Sequence, residues 1–295
     1  GMIGPALIFL AFNGSDPVNA HGWGIPMATD IAFALGILAM LGNRVPPSLK
    51  IFLAALAIAD DMGAVLVIAL FYTSELSLIM LAAGGVFFVL LLISNRFNIR
   101  STAVYTLLGI GLWFCFLKSG IHATIAGVLL ATTIPVASGT EKKKKDHPHH
   151  DEHSPLHRFE HALQPYVAFL IMPIFAVANA GVKIEGSITD ALFSPLGNGI
   201  LFGLIAGKQI GIVSFVWIAV KLKLAELPKS VTWGMIYGTS WLCAIGFTMA
   251  LFIAGLAFTS NEPLVISKIA VLSASIAAGV GGFIILRSMT SMQKH

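Results

Sequence analysis

The residues able to do chemistry in this chain are few and placed where charge is costly. Asp60 and Asp61 stand side by side in Ile58-Ala59-Asp60-Asp61-Met62-Gly63, inside an apolar run from about Val45 to Tyr72, with no Lys or Arg close by to neutralise them. At ~1.5 Å per helical residue they lie roughly 20 Å along a segment of about 40 Å, which is the middle of a bilayer span. A carboxylate at that depth costs at least ~2.5 kcal/mol by insertion scales. Two readings compete: buried acids satisfied by neighbouring hydroxyls and backbone, or a site for protons and cations that cross the membrane. Two more charges lie far from any interface, Asp30 in Gly22-Trp23-Gly24-Ile25-Pro26-Met27-Ala28-Thr29-Asp30 and Lys208 in Ala206-Gly207-Lys208-Gln209.

The elements that must hold these residues are membrane helices. The 295-residue chain is 57% hydrophobic and 11% charged, with a mean hydropathy of +0.87, which excludes a soluble globular domain. Cys115 and Cys243 both fall in apolar runs, so neither a disulfide framework nor a zinc site is available from them. Apolar segments at roughly 1–12, 22–42, 47–72, 77–95, 102–117, 120–136, 160–182, 196–222, 232–258 and 264–288 predict an all-α polytopic membrane protein of about ten helices. The pair 102–117 and 120–136 reads either as two partial crossings or as one hairpin. The opening Gly1-Met2-Ile3-Gly4-Pro5 is already apolar, as though helices precede it.

Loop charges set the orientation. Of the 18 Lys and Arg, only Lys118, Lys183 and Lys268 fall in one set of alternate loops and Lys208 inside a span; the rest fall in the other set, which is cytoplasmic by the positive-inside rule. Residues 1–72 and 196–288 then form two trios of opposite topology. Each has a middle span interrupted by residues unsuited to a continuous helix: Pro26 with its flanking glycines, and Gly246 in Cys243-Ala244-Ile245-Gly246-Phe247-Thr248. Proline removes a backbone donor and glycine permits close approach. Matching broken helices in inverted repeats are the pattern of secondary transporters, with the ion site where the breaks meet. The expected organisation is 1–72 and 196–295 as the repeat units of the core, 73–136 and 159–195 as interface-side helices, and 137–158 as a cytoplasmic loop rich in His and Lys.

Crossed broken helices bring positive N-termini and negative C-termini together at midplane, each equivalent to roughly half a charge. Asp30 can balance the former and Lys208 the latter. Direct ion coordination by Asp30 is the other reading. Lys208 can instead pair with Asp60 or Asp61, since a lone buried ammonium tends to give up its proton and a partnered one keeps it. Carboxylates, the Thr29 hydroxyl, backbone carbonyls and water make an oxygen-rich set suited to Na+ or Li+. Protons and a cation would compete for it. The loop histidines, His147, His149, His150 and His153, read as part of a solvated segment, with metal binding the alternative. His122, beside Lys118, reads as a hydrogen-bonded interfacial residue or as a pH-responsive contact.

The stretches Ala28-Thr29-Asp30-Ile31-Ala32-Phe33-Ala34-Leu35-Gly36, Leu56-Ala57-Ile58-Ala59-Asp60-Asp61, Lys118-Ser119-Gly120-Ile121-His122-Ala123-Thr124, Phe175-Ala176-Val177-Ala178-Asn179-Ala180-Gly181 and Gly246-Phe247-Thr248-Met249 resemble the NhaA-type sodium/proton antiporters of bacteria. The resemblance implies exchange of cytoplasmic Na+ or Li+ for external H+, electrogenic with two protons per cation and activated at alkaline pH, with no cofactor, in an inner-membrane protein that tends to dimerise. It assigns the ion- and proton-carrying pair to Asp60 and Asp61, the broken-helix residues to Thr29 and Asp30, and the lysine of the crossing, able to salt-bridge Asp60, to Lys208. It links His122 and Glu160 to pH response. Two departures stand out: two helices usual in the family would precede Gly1, and Gln209-Ile210 stand where a proline-leucine pair often follows the lysine.

Other classes fit less well. Intramembrane aspartyl proteases carry their acids on two facing helices, whereas these are adjacent. A channel has no need of a buried lysine beside the acids. A proton- or sodium-coupled carrier of an organic solute on a similar fold is the main alternative.

Overall fold

The computed structural model describes residues 1–72, 76–135, 155–181, 187–228 and 230–291. The described residues are helical, without strands. The elements are α1 (Ile3–Asn13), α2 (Pro17–Met27), α3 (Ile31–Met40), α4 (Pro47–Phe71), α5 (Leu78–Arg96), α6 (Thr102–Ser119), α7 (Thr124–Thr133), α8 (Leu156–Ala180), α9 (Ile188–Phe193), α10 (Pro195–Lys221), α11 (Trp233–Cys243), α12 (Phe247–Ala257) and α13 (Asn261–Ser291). Among them α4, α5, α6, α8, α10 and α13 are each long and apolar enough to cross a membrane, and the pairs α2/α3 and α11/α12 are broken spans bent by 42° and 43°. The protein is thus an all-α polytopic membrane protein. Its surface agrees: Ile51, Ile58, Met62, Leu66 and Leu70 leave one face of α4 apolar and exposed, which suits hydrocarbon and not water.

Several boundaries differ from the sequence expectation for local reasons. The segment expected over 120–136 is a helix only from Thr124 to Thr133, too short to span a bilayer. Gly120, at φ 87°, takes the left-handed conformation that ends α6. The first broken span opens earlier than expected, because Asp16 accepts from the Val18 and Asn19 amides and Pro17 sits in the first turn. From His21 to Met27 it tightens into a 3-10 helix containing Pro26. The short α9, capped by Ser187, carries no apolar period that would announce it. The His/Lys-rich loop at 137–158 lies almost wholly outside the described residues, as do Lys183, Lys229 and Lys294.

The chain forms two compact units, residues 1–66 with 177–295 and residues 67–176. In the first, α10 packs against α1, α11 and α13, while α12 lies on the 3-10 part of α2 and on α13. Its core joins Ala34 and Leu38 of α3, Leu49 and Leu53 of α4, Ile212 of α10, Met235, Ile236 and Leu242 of α11, and Ala278 and Leu286 of α13. In the second, α5 and α6 pair closely and α7 lies against both, around Leu91, Tyr105, Leu112, Phe116 and Ala126.

Two features of α10 set the position of Lys208. Leu196, Ile200, Leu204, Lys208 and Ile212 are buried at a four-residue period, and so is the ladder Gly199, Gly203, Gly207, Gly211. A four-residue period drifts about 40° per step on a 3.6-residue helix; the wider π turn over Gly203–Gly207 takes up part of that drift and keeps both rows aimed inward. The glycines let neighbours come close: a Cβ on Gly207 would stand 2.6 Å from Pro5 Cα, and one on Gly203 would stand 2.8 Å from Pro26 Cβ. Small residues at this spacing are how membrane helices approach backbone to backbone.

Candidate functional site

Asp60 belongs to a buried stripe on α4, Leu49, Leu53, Ala57, Asp60, Ala64 and Ile68, whose steps of three and four residues mark one helical face. A carboxylate is therefore set among the apolar residues of that face. Lys208 is likewise one member of the buried row on α10. Asp60 is 3% exposed and Lys208 is 0% exposed, and they meet: Lys208 Nζ lies 2.5 Å from Asp60 Oδ2. The ammonium also donates to the Met27 carbonyl at 2.5 Å and to Thr29 Oγ1 at 2.8 Å. All three of its donors are thereby used. Thr29 Oγ1 in turn lies 2.9 Å from Asp60 Oδ2 and 2.9 Å from the Cys243 carbonyl; its single proton serves one of them at a time.

Asp30 occupies the opposite pole of the crossing. Its Oδ1 accepts from the Phe33 amide at 3.1 Å, capping α3. Its Oδ2 accepts from the Thr248 amide at 3.0 Å and the Thr248 hydroxyl at 2.5 Å, capping α12. Its own amide donates to the Ile245 carbonyl at 2.6 Å. One carboxylate thus satisfies orphan donors at two helix N-termini, where the helix dipoles favour negative charge. The carbonyls that end the other half-helices, Met27 and Cys243, face Lys208 Nζ and Thr29 Oγ1 respectively. Of the two readings open for Asp30, the geometry is that of a counter-charge to N-termini.

Gly246 starts α12, and a Cβ there would stand 3.0 Å from Leu204 Cδ2 and 3.4 Å from the Ala28 carbonyl. The glycine therefore permits the two breaks and α10 to converge. Pro26 is buried where α2 meets Gly203. Its missing N–H suits a 3-10 segment whose hydrogen bonds are sparse.

Asp61, one residue on from the buried stripe, lies at its flank and is only partly buried. Its Oδ1 is nonetheless enclosed and, among the described residues, has no hydrogen-bond partner. Such an atom is expensive to leave unsatisfied, and an anionic oxygen without a donor is what a cation or proton would complete. Among the described residues no group of three or more His, Cys, Asp or Glu side chains is assembled to hold a metal, so an ion here would rely on two carboxylates together with hydroxyl, carbonyl and water oxygens, a set for a hard cation.

The structure brings Thr29, Asp30, Asp60, Lys208, Pro26 and Gly246 together, with Asp61 beside them on α4. His122 and Glu160 belong to the second unit. His122 Nδ1 lies 3.0 Å from Thr124 Oγ1 at the start of α7, and Glu160 Oε2 lies 2.9 Å from His157 Nδ1 on α8. Sequence reasoning overlooked Thr248 as the second partner of Asp30, although a hydroxyl two residues after the break glycine is a helix-start signal. It also overlooked the glycine ladder of α10, whose period is visible in the sequence.

Comparison with known proteins places the chain. The family model described as Na+/H+ antiporter 1 matches residues 1–286. The Na+/H+ antiporter NhaA of Nitrobacter hamburgensis is 52% identical over 288 residues, covering 97% of this chain and 69% of that protein. The NhaA of Enterobacter sp. strain 638 is 49% identical over 295 residues, covering 99% and 73%, and that of Escherichia coli O139:H28 is 50% identical over 289 residues, covering 97% and 72%. With a family match across nearly its full length and relatives at about half identity, the chain belongs to the Na+/H+ antiporter 1 family.

Proposed function

We propose that the protein exchanges cytoplasmic Na+ or Li+ for external H+ across the bacterial inner membrane, with cation and protons competing at Asp60 and Asp61. The family is one of antiporters, so the protein is a membrane transporter and not an enzyme, and needs no cofactor beyond the ions it carries. One observation carries the site assignment: the enclosed, unpartnered Oδ1 of Asp61 next to an Asp60 already held by Lys208 and Thr29.

In this reading the cation enters between the two carboxylates and draws Asp60 away from Lys208. The Thr29 hydroxyl, which touches both Asp60 and Lys208, turns its oxygen to whichever cation is present. When the cation leaves, protons take its place, and two protons for one cation make the exchange electrogenic. Coupled titration is expected of adjacent carboxylates, so the protons belong to the pair and not to either residue. The broken spans supply the conformational freedom: the hydrogen bonds missing at residues 28–30 and 244–246 leave two hinges at the crossing, and Asp30 keeps them joined through α3 and α12. The trios 1–72 and 196–288 would form the inverted repeat whose rocking exposes the site to either side. Glu160 and His122 remain the candidates for pH response.

The test is transport in proteoliposomes with an imposed pH gradient. Na+ and Li+ pulses are expected to collapse the gradient in the wild type and to have no effect in Asp61→Asn, which keeps the size of the side chain and removes its charge. Wild-type exchange by Asp61→Asn would overturn the site. A gradient insensitive to Na+ and Li+ but collapsed by an organic solute would overturn the cation reading in favour of a coupled carrier.

A further inference from the structure

The start of α8 carries a histidine arrangement that ion exchange at Asp60 and Asp61 does not use. His157, Glu160 and His161 fall at i, i+3 and i+4 in Leu156-His157-Arg158-Phe159-Glu160-His161, hence on one helix face. The imidazoles of His157 and His161 lie edge to face with ring centroids 4.9 Å apart and planes at 61°. His157 Nδ1 is 2.9 Å from Glu160 Oε2, and the two side chains are 40% and 64% exposed. His161 is exposed as well.

Two imidazoles one helical turn apart form a chelating pair. An ion can bridge them without disturbing the backbone, which is why histidines at i and i+4 on a helix supply two zinc ligands in metalloprotease motifs. Small rotations of these exposed side chains suffice to bring one nitrogen of each ring to the ~2.0–2.1 Å Zn–N distance. Glu160 adds the usual outer partner. A proton on His157 Nδ1, donated to Glu160, leaves the lone pair on Nε2, the tautomer in which a ligating histidine is held by a carboxylate behind it. Since no cluster of three or more such side chains is assembled among the described residues, the pair contributes two ligands and water completes the shell.

We propose that His157 and His161 form a site for a divalent transition metal of the zinc class at the exposed start of α8, with Glu160 as the positioning carboxylate. Imidazole nitrogen favours Zn2+, Cu2+ and Ni2+ over Mg2+ and Ca2+, and by the same softness over alkali cations. The site is therefore separate in chemistry from the oxygen-rich one at Asp60 and Asp61, and does not depend on its assignment.

The experiment is a Zn2+ titration of the full chain in detergent, stripped with a chelator and competed against a fluorescent zinc indicator in excess Mg2+. Four forms are compared: wild type, the double variant His157→Gln/His161→Gln, Glu160→Gln, and a variant with His147, His149, His150 and His153 all changed to Gln. The wild type and the four-histidine variant are expected to hold one equivalent of Zn2+ with similar affinity. The double variant should bind at least 100-fold more weakly, and Glu160→Gln roughly 10-fold more weakly, the usual effect of losing an outer-shell carboxylate. The positions on α8 are exposed, so these variants leave the packed core untouched. Zn2+ binding that survives the double variant, or that disappears in the four-histidine variant, would overturn the assignment to α8.

Discussion

Lys208→Ala removes the one ammonium at the helix crossing, and the structure allows its cost to be worked through. Three hydrogen bonds from a charged donor are lost, to Asp60 Oδ2, Thr29 Oγ1 and the Met27 carbonyl. Asp60, 3% exposed, is left as a buried carboxylate with only the Thr29 hydroxyl. Breaking a buried ion pair from one side costs about 3–5 kcal/mol, because the remaining charge is uncompensated. At ~2–4 °C per kcal/mol for a domain of this size, the melting temperature should fall by about 6–20 °C. Thermal unfolding in detergent, followed by tryptophan fluorescence or a thiol-reactive dye at the buried Cys243, measures this. The decisive companion is Lys208→Ala/Asp60→Asn. If uncompensated charge is the cause, neutralising Asp60 should restore more than half of the lost stability, a coupling of 1.5 kcal/mol or more in a double-mutant cycle by ~1.36 kcal/mol per tenfold. A melting temperature within 2 °C of wild type for Lys208→Ala, or a double variant no more stable than the single, would refute the reasoning.

Other parts of the site make separate predictions. Thr248→Ala removes a hydroxyl donated to a buried carboxylate, a bond worth about 1.5–3 kcal/mol; it should lower the melting temperature by several degrees, while Thr248→Ser stays near wild type. Gly207→Ala puts a methyl group 2.6 Å from Pro5 Cα, so α1 must move off α10. Lower yield of folded protein by size-exclusion chromatography is expected, against no effect of Gly85→Ala, whose surroundings are open within 4 Å. Should Gly207→Ala match Gly85→Ala, the close approach of α1 to α10 is not a constraint on folding.

Much of the fold is legible in the sequence because hydrocarbon imposes simple rules. Apolar runs of spanning length become helices, since no other open structure satisfies its backbone in a bilayer, and α4, α5, α6, α8, α10 and α13 follow the expected runs within a few residues. Pro26 and Gly246 announce where two of the spans break. The three-four spacing from Leu49 to Ile68 also tells that Asp60 and Asp61 cannot share one role, since adjacent residues on a helix point about 100° apart: the first falls on the buried stripe, the second on its flank.

What tertiary structure alone decided is which groups meet. Lys208 is as free in sequence to pair with Asp61 as with Asp60. The choice rests on the rotation of α10, set by its glycine ladder, its π turn and the close approach of Pro5. The part played by Asp30 was equally open until α3 and α12 were seen to begin on either side of its carboxylate. A counter-charge to two N-termini exists only when two chain segments more than 200 residues apart, Asp30 and Thr248 being separated by 218, are brought end to end. Sequence pattern is local and reports which face a side chain occupies; electrostatic partnership falls off within a few ångströms, and only packing brings groups that close.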